Sequence, residues 1–233
     1  MIISVVIPAY NEEKYIKRTL DSLQNQQLKA NEIIVVDNGS TDKTVGICES
    51  MGVKIVKEPK KGIGLARKAG FSKAIGDIIA TTDADTILPP DWLYKIKNAF
   101  EKNSDVVAVG GPYIFDIQKH KIALKIVSLI WIWGDRVINR GNNVPGANMA
   151  VRKKAYLEVG GYKKDKYFED LDLSLRLRKK GKVLFLRNIL VVTSYRRYAS
   201  QGFLKTVLNY MKDYHRFIFK GKDVHMEDIR EEK

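Results

Sequence analysis

Asp83 and Asp85 stand one residue apart at the end of an apolar run, in Ala80-Thr81-Thr82-Asp83-Ala84-Asp85-Thr86. Two carboxylates delivered together to a partly desolvated crevice repel each other. A divalent cation with oxygen ligands would remove that cost and could bridge to a diphosphate. The pattern is weak by itself, because an Asp-rich turn ahead of Pro89-Pro90 looks the same. A third acid, Asp37, closes the apolar run of residues 32–36, where a carboxylate can accept hydrogen bonds from a nucleobase or a ribose. Glu169 and Asp170 open a leucine-rich stretch that carries Asp172 near its start and Arg176, Arg178, Lys179 and Lys180 before Gly181. Acids in front, bases behind and a terminal glycine predict a helix whose dipole and caps they complement, which is a sufficient account of Asp172.

These carboxylates need a scaffold, and the hydrophobic pattern supplies one. Apolar runs at residues 2–7, 32–36, 53–56, 77–81 and 106–110 predict strands, and the stretches at 12–26, 42–51, around 65–74 and at 92–100 predict helices. That alternation implies an α/β fold, a mostly parallel sheet with helices on both faces, in which ligands bind beyond the carboxyl ends of the strands. Pro8 is expected to stop the first ladder, with Asn11 capping the next helix and Glu12 and Glu13 at its positive end. The second half is less regular. It predicts a hydrophobic helix over residues 122–137, a loop over 141–147, a helix from near Phe168 and strands over 183–186 and 189–193. A last amphipathic stretch carries Phe203, Val207, Met211, Tyr214 and Ile218, and the polar tail beyond it is expected to fray. Without internal repeats or a Pro/Gly/Ser linker, a single compact domain is expected.

Composition removes several classes of function. With 233 residues, 45% of them hydrophobic, the chain can bury a core without disulfides. Its one cysteine, Cys48, excludes an internal disulfide framework and any site of several thiolates, and fits a reducing compartment. The net charge of +14 is unevenly spread: residues 1–110 carry +1 and residues 111–233 carry +13. Such an excess attracts phosphates, anionic membrane or nucleic acid, and charge alone does not choose among them. No basic flank precedes the opening apolar run and no cleavage pattern follows it, so neither a secretory signal nor a spanning segment is expected, and a cytoplasmic location is. Lys60-Lys61-Gly62-Ile63-Gly64-Leu65-Ala66-Arg67 puts Arg67 where a dinucleotide-binding loop needs its third glycine. His120, His215 and His225 are too scattered for a zinc set.

In order and spacing these segments resemble the family 2 glycosyltransferases of the GT-A (Rossmann-like) fold, inverting enzymes that use nucleotide-diphosphate sugars. Val6-Ile7-Pro8-Ala9-Tyr10-Asn11-Glu12 is similar to the family's opening strand and nucleotide loop, Val35-Val36-Asp37-Asn38-Gly39-Ser40-Thr41-Asp42 to its second signature, and Asp83-Ala84-Asp85 to its DXD metal motif. Gly146-Ala147-Asn148-Met149-Ala150-Val151-Arg152 is similar to its acceptor-side loop and Phe168-Glu169-Asp170 to its catalytic acid pair. The resemblance covers about residues 2–182. It implies that Pro8, Ala9, Tyr10, Glu12, Asp37, Arg67, Asp83 and Ala84 serve the nucleotide-sugar site, with Asp85 on Mg²⁺ or Mn²⁺, Asn148 on the acceptor side and Glu169 beside Asp170, the general base. Residues 1–110 would bind a UDP- or GDP-sugar, residues 111–220 a hydroxyl acceptor, and residues 221–233 would form the frayed tail. Aligning Arg197-Tyr198 with the end of Q-x-x-R-W puts Ser194 in place of the glutamine, which disfavours a processive synthase. Thr86-Ile87 stands where polyprenyl-phosphate mannose synthases usually carry Leu-Gln.

Two other classes fit the sequence less well. A sugar-phosphate nucleotidylyltransferase needs a glycine-rich phosphate loop near the first strand, and Ala9-Tyr10-Asn11 is not one. A nucleic-acid-binding module is disfavoured because the basic charge is dispersed and the acids cluster at strand ends. Within residues 122–137, Ile122, Ile126, Leu129, Ile130, Trp133 and Val137 fall at helical spacing, with Lys119, Lys121, Lys125, Arg136 and Arg140 around them. Such a face can pack in the protein's own core, in a homodimer, or on an anionic membrane surface carrying a lipid-linked acceptor; periodicity slightly favours the first two.

Overall fold

The computed structural model describes residues 1–116, 144–163 and 168–196 together with positions 206, 209, 212 and 213. The opening apolar run becomes β1 (Ile3–Ala9), buried along its whole length. Next come α1 (Ile16–Gln24), β2 (Glu32–Asp37), α2 (Thr44–Ser50), β3 (Lys54–Lys57), α3 (Ile63–Lys73), β4 (Ile78–Thr81) and the short β5 (Thr86–Ile87). The chain continues through α4 (Trp92–Lys102), β6 (Val106–Gly110), β7 (Tyr113–Asp116), a 3₁₀ turn at Gly146–Asn148, β8 (Met149–Arg152), α5 (Lys153–Glu158), α6 (Glu169–Leu177), β9 (Lys182–Phe185) and β10 (Val191–Ser194).

Seven strands form the central sheet in the order β3-β2-β1-β4-β8-β6-β9. All neighbours are parallel except β8, which runs antiparallel to both β4 and β6. The mostly parallel α/β sheet expected from the sequence is thus present. Side chains alternate across it, as a two-residue period requires. Val5 and Ile7 enter one core with Leu20 of α1 and Trp92, Ile96 and Phe100 of α4. Val6 faces the other core, with Ala66 and Phe71 of α3, Tyr156, Tyr162 and Leu173 of α6. Helix α3 lies close enough that a Cβ on Gly70 would meet Val6 Cγ1 at 2.3 Å and Val36 Cγ2 at 2.7 Å. Only glycine fits there.

Three expectations need correction, and one sheet lies beyond them. Pro8 does not stop the ladder: it pairs with Val36, and β1 carries on to Ala9 opposite Asp37. The register with β4 ends at Val6, so beyond that point one edge of β1 is open and tolerates a residue without an N–H. Asn11 does not cap α1, which begins at Ile16; it adopts φ 52° and accepts the Thr41 N–H at 2.8 Å through Oδ1. Part of the expected loop 141–147 and its sequel forms the 3₁₀ turn and β8, which divides the parallel strands. A second, three-stranded sheet, β5-β10-β7, was not foreseen. The expected helix over 122–137, the last amphipathic stretch and the tail lie outside the described residues, apart from isolated positions. Among the described residues no helix is long and apolar enough to cross a membrane.

Candidate active site

The carboxyl ends of β1, β2 and β4 meet at one rim of the sheet, and their loops are tied to one another. The Asn11 N–H donates to Ser40 Oγ, the Glu12 N–H to Thr44 Oγ1 at 2.7 Å and the Glu13 N–H to Asp42 Oδ2. Glu13 in turn accepts the Lys43 N–H. Asp37 ends β2 almost buried and accepts the Ser40 N–H at 3.0 Å through Oδ1. Beside it, Asn38 accepts the Gly62 N–H through Oδ1 and donates to the carbonyls of Glu58 and Lys60, which fixes the approach to α3. Pro8 and Ala9 are buried; Tyr10 is partly exposed, with the Lys61 ammonium 5.2 Å from its ring centroid.

Past β4, each acid of the Asp-x-Asp pair meets an arginine. Arg67 Nη2 donates to Asp83 Oδ1 at 2.6 Å. Arg196 Nη2 lies 3.3 Å from Asp85 Oδ2 and also donates to Glu12 Oε1. The other Asp85 oxygen accepts the Thr193 hydroxyl at 3.1 Å. Between the two acids, Ala84 is buried, and its carbonyl accepts the Thr19 hydroxyl. The repulsion inferred from the sequence is therefore eased by guanidinium groups from α3 and from the end of β10. Burial pushes the Glu12 carboxyl up to about 7, against Arg196, with Asp85 and Asp83 adding to the rise. Glu12 Oε2 is buried without a hydrogen-bond partner among the described residues.

Arg67 carries this cluster to the second half of the chain. Its side chain is 3% exposed and its Nη1 donates to Glu169 Oε1, at the first residue of α6. Desolvation lowers the Arg67 pKa, but Asp83 and Glu169 outweigh it and the net shift is upward. Burial likewise pushes the Glu169 carboxyl up to about 7 while Arg67 opposes the rise. A Cβ on Gly146 would lie 2.5 Å from Arg67 Cζ, so the 3₁₀ turn must present a glycine to the guanidinium. The Gly146 N–H donates to Asp170 Oδ2 at 2.9 Å. Of the acid pair, then, Glu169 is buried against Arg67 and Asp170 is partly exposed. Asn148, expected on the acceptor side, is fully buried: it accepts the Trp92 indole N–H and donates to the carbonyls of Pro112 and Ile189. Its amide is taken up by these three hydrogen bonds.

Glu12, Asp83, Asp85 and Glu169 thus share two guanidinium groups, leaving negative charge in excess among these contacts. Hard carboxylate oxygens, one of them buried and unmatched, fit Mg²⁺ or Mn²⁺. Among the described residues no three acids, histidines or cysteines converge as an all-protein metal cage. A small carboxylate set completed by substrate phosphates is the usual mode for Mg²⁺. Arg196 was missed from the sequence. Its place just past a strand end was a signal, but its partners Glu12 and Asp85 lie 184 and 111 positions away.

A family model described as Glycosyl transferase family 2 matches residues 4–160. A curated relative, the glucosyl-dolichyl phosphate glucuronosyltransferase of Haloferax volcanii, is 27% identical over 175 residues, which cover 70% of this chain and 56% of that protein. The chain therefore spans little more than half of that relative. Among solved structures, S. aureus TarS 1-349 in complex with UDP-GlcNAc superposes with TM-score 0.66 at 18% identity, covering 84% of this chain and 59% of that one. The mannosyltransferase PcManGT from Pyrobaculum calidifontis, in complex with GDP-Man and Mn²⁺, gives TM-score 0.67 at 19% identity over 91% and 64% of the two chains. At these identities the structural likeness speaks for the fold.

Proposed function

The chain belongs to glycosyl transferase family 2, and from that premise we propose that it moves a sugar from a nucleotide-diphosphate sugar to an acceptor hydroxyl with inversion, one sugar at a time. The observation that carries this reading is the chain of contacts Asp83–Arg67–Glu169, which joins the acids at the strand ends to the segment bearing Asp170. Asp37 accepts hydrogen bonds from the nucleoside, and Pro8, Ala9, Tyr10 and Glu12 form the wall against which it lies. Asp85, with Asp83 beside it, would hold Mg²⁺ or Mn²⁺, which when bound supplies Lewis-acid neutralisation of the diphosphate.

Asp170 takes the acceptor's proton at its partly exposed carboxylate as the acceptor oxygen forms its bond to the anomeric carbon. The bond from that carbon to the diphosphate oxygen breaks in the same displacement, and a single displacement inverts the centre. Glu169 is unsuited to be the base because it is buried and paired with Arg67. Its task is to hold Arg67, and through Arg67 the orientation of Asp83. The Arg67 charge is already matched by two carboxylates, so it reaches a diphosphate only at long range.

The acceptor belongs to the finer part of the proposal. The relative from Haloferax volcanii is named for a dolichyl phosphate substrate, and residues 111–233 carry +13. Both favour a lipid-linked acceptor reached by peripheral attachment to an anionic membrane from the cytoplasmic side. A panel of UDP- and GDP-sugars, screened for a rise in melting temperature with and without Mn²⁺, tests the core of the reading. A metal-dependent rise with at least one of them is expected. No rise with any member would refute donor binding.

A further inference from the structure

Arg196 follows β10 and reaches back over the rim of the sheet. It donates to Glu12 Oε1, approaches Asp85 Oδ2 to 3.3 Å and lies 4.6 Å from the centroid of the Tyr15 ring. Thr193, three residues earlier, donates to the remaining Asp85 oxygen. The carboxylate best placed to hold a divalent cation is thus gripped on both oxygens by the end of one strand. Arg67 and Arg196 differ in freedom. Arg67 is 3% exposed and pinned by its two acids, whereas the Arg196 side chain is 38% exposed. It also borders a cavity of about 240 Å³ lined by Arg18, Ser194 and Tyr195 among others, so the guanidinium has room to swing.

We propose that Arg196 is a built-in counter-cation that holds Glu12 and Asp85 in the donor-free protein and yields Asp85 to the metal ion only as the nucleotide sugar arrives. The inference rests on the proposed metal role of Asp85. Without donor, a divalent ion must displace a guanidinium whose departure gives up its contacts to both Asp85 and Glu12. With donor, the displaced fork gains phosphate oxygens, which it matches in geometry and charge. Metal and nucleotide then strengthen each other's binding, as reciprocal coupling requires. Arg196 is a positioning residue in this scheme, and its signature is metal affinity.

Mn²⁺ binding, read from the electron paramagnetic resonance signal of the free ion, separates the outcomes. Without nucleotide, Arg196→Gln should bind Mn²⁺ about tenfold more tightly than the natural protein, and the enhancement of Mn²⁺ affinity by UDP or GDP should shrink by the same factor. Tyr15→Leu, which removes the aromatic ring beside the guanidinium but keeps its charge, should shift both quantities the same way by less. Unchanged or weaker Mn²⁺ binding in the folded variants, with the natural protein still binding Mn²⁺ alongside a nucleotide, overturns this inference alone. If the natural protein binds no Mn²⁺ even with UDP and GDP, the metal role of Asp85 falls and the inference with it.

Discussion

Replacing Arg67 by methionine removes the one cation that Asp83 and Glu169 share while keeping much of the side chain's bulk. Breaking a buried ion pair from one side costs about 3–5 kcal/mol, because the abandoned charge stays desolvated. Asp83 is 32% exposed and can turn to water, whereas the Glu169 side chain is 6% exposed and cannot. The loss should therefore sit near the lower end, about 3 kcal/mol at pH 7. It should also depend on pH. In the natural protein burial holds the Glu169 carboxyl at about 7, above its ordinary 4.5. The folded state then binds more protons than the unfolded one between those values, so this group's contribution to stability falls as pH rises through that window and is flat above it. Without Arg67 the carboxyl rises further and the window extends past 7. The variant should thus lose additional stability between pH 7 and 8, by up to about 1.4 kcal/mol per unit, whereas the natural protein, whose carboxyl has half titrated by about pH 7, loses less through this group. Urea unfolding followed by the fluorescence of buried Trp92 and the other tryptophans measures both effects. Adding Glu169→Gln should restore much of the loss and remove its pH dependence. A cost under about 1 kcal/mol, or equal costs at pH 6 and pH 8, would refute the reasoning.

Three further outcomes follow from the site. Asp170→Asn should leave the fold and donor affinity nearly intact and lower turnover on the order of 10²-fold or more, because the amide oxygen can still accept the Gly146 N–H, giving up the Leu171 N–H that the other carboxylate oxygen accepts, but cannot take a proton. Near-normal turnover in single-turnover assays would move the base elsewhere. Asp37→Ala should weaken binding of nucleoside and nucleotide sugar while leaving pyrophosphate affinity nearly unchanged, and calorimetry showing parallel loss of both would contradict its place at the nucleoside. Flotation with liposomes should recover the protein with anionic vesicles at low salt and release it at high salt, whereas absence from both anionic and neutral fractions removes the membrane proposal.

The parts of the fold legible in the sequence are those where a strand or helix declares itself within a dozen residues. β1, β2, β4 and β6 are apolar runs buried on both faces, and the charge polarity around Glu169 and Arg176 matches α6. The four-residue β8 was hidden because the expected acceptor-side loop already accounted for its residues, and its partners lie on β4 and β6. Pro8 misled because a proline is judged against a ladder closed on both sides, and this one is open on one. At the site, the acids could be read from their positions after strands and Arg67 was expected among them, while Arg196 and the pairing of either arginine could not be read. Arg67 was expected at the nucleotide-sugar site as well as in a failed glycine motif, but its pairing with Glu169 crosses 102 positions. Long-range charge pairing leaves no local pattern, so the pairing of the arginines had to come from the structure.

The central claim is that the acids at the carboxyl end of the sheet bind a nucleotide-diphosphate sugar through a divalent ion on Asp85. Titration calorimetry of the best donor from the UDP- and GDP-sugar panel, with Mn²⁺ and with chelator, for the natural protein and for Asp85→Ala, addresses it most directly. The account predicts that Mn²⁺ strengthens binding to the natural protein and that Asp85→Ala loses this dependence. Equal affinity with and without chelator in the natural protein, or an undiminished metal effect in Asp85→Ala, would contradict it.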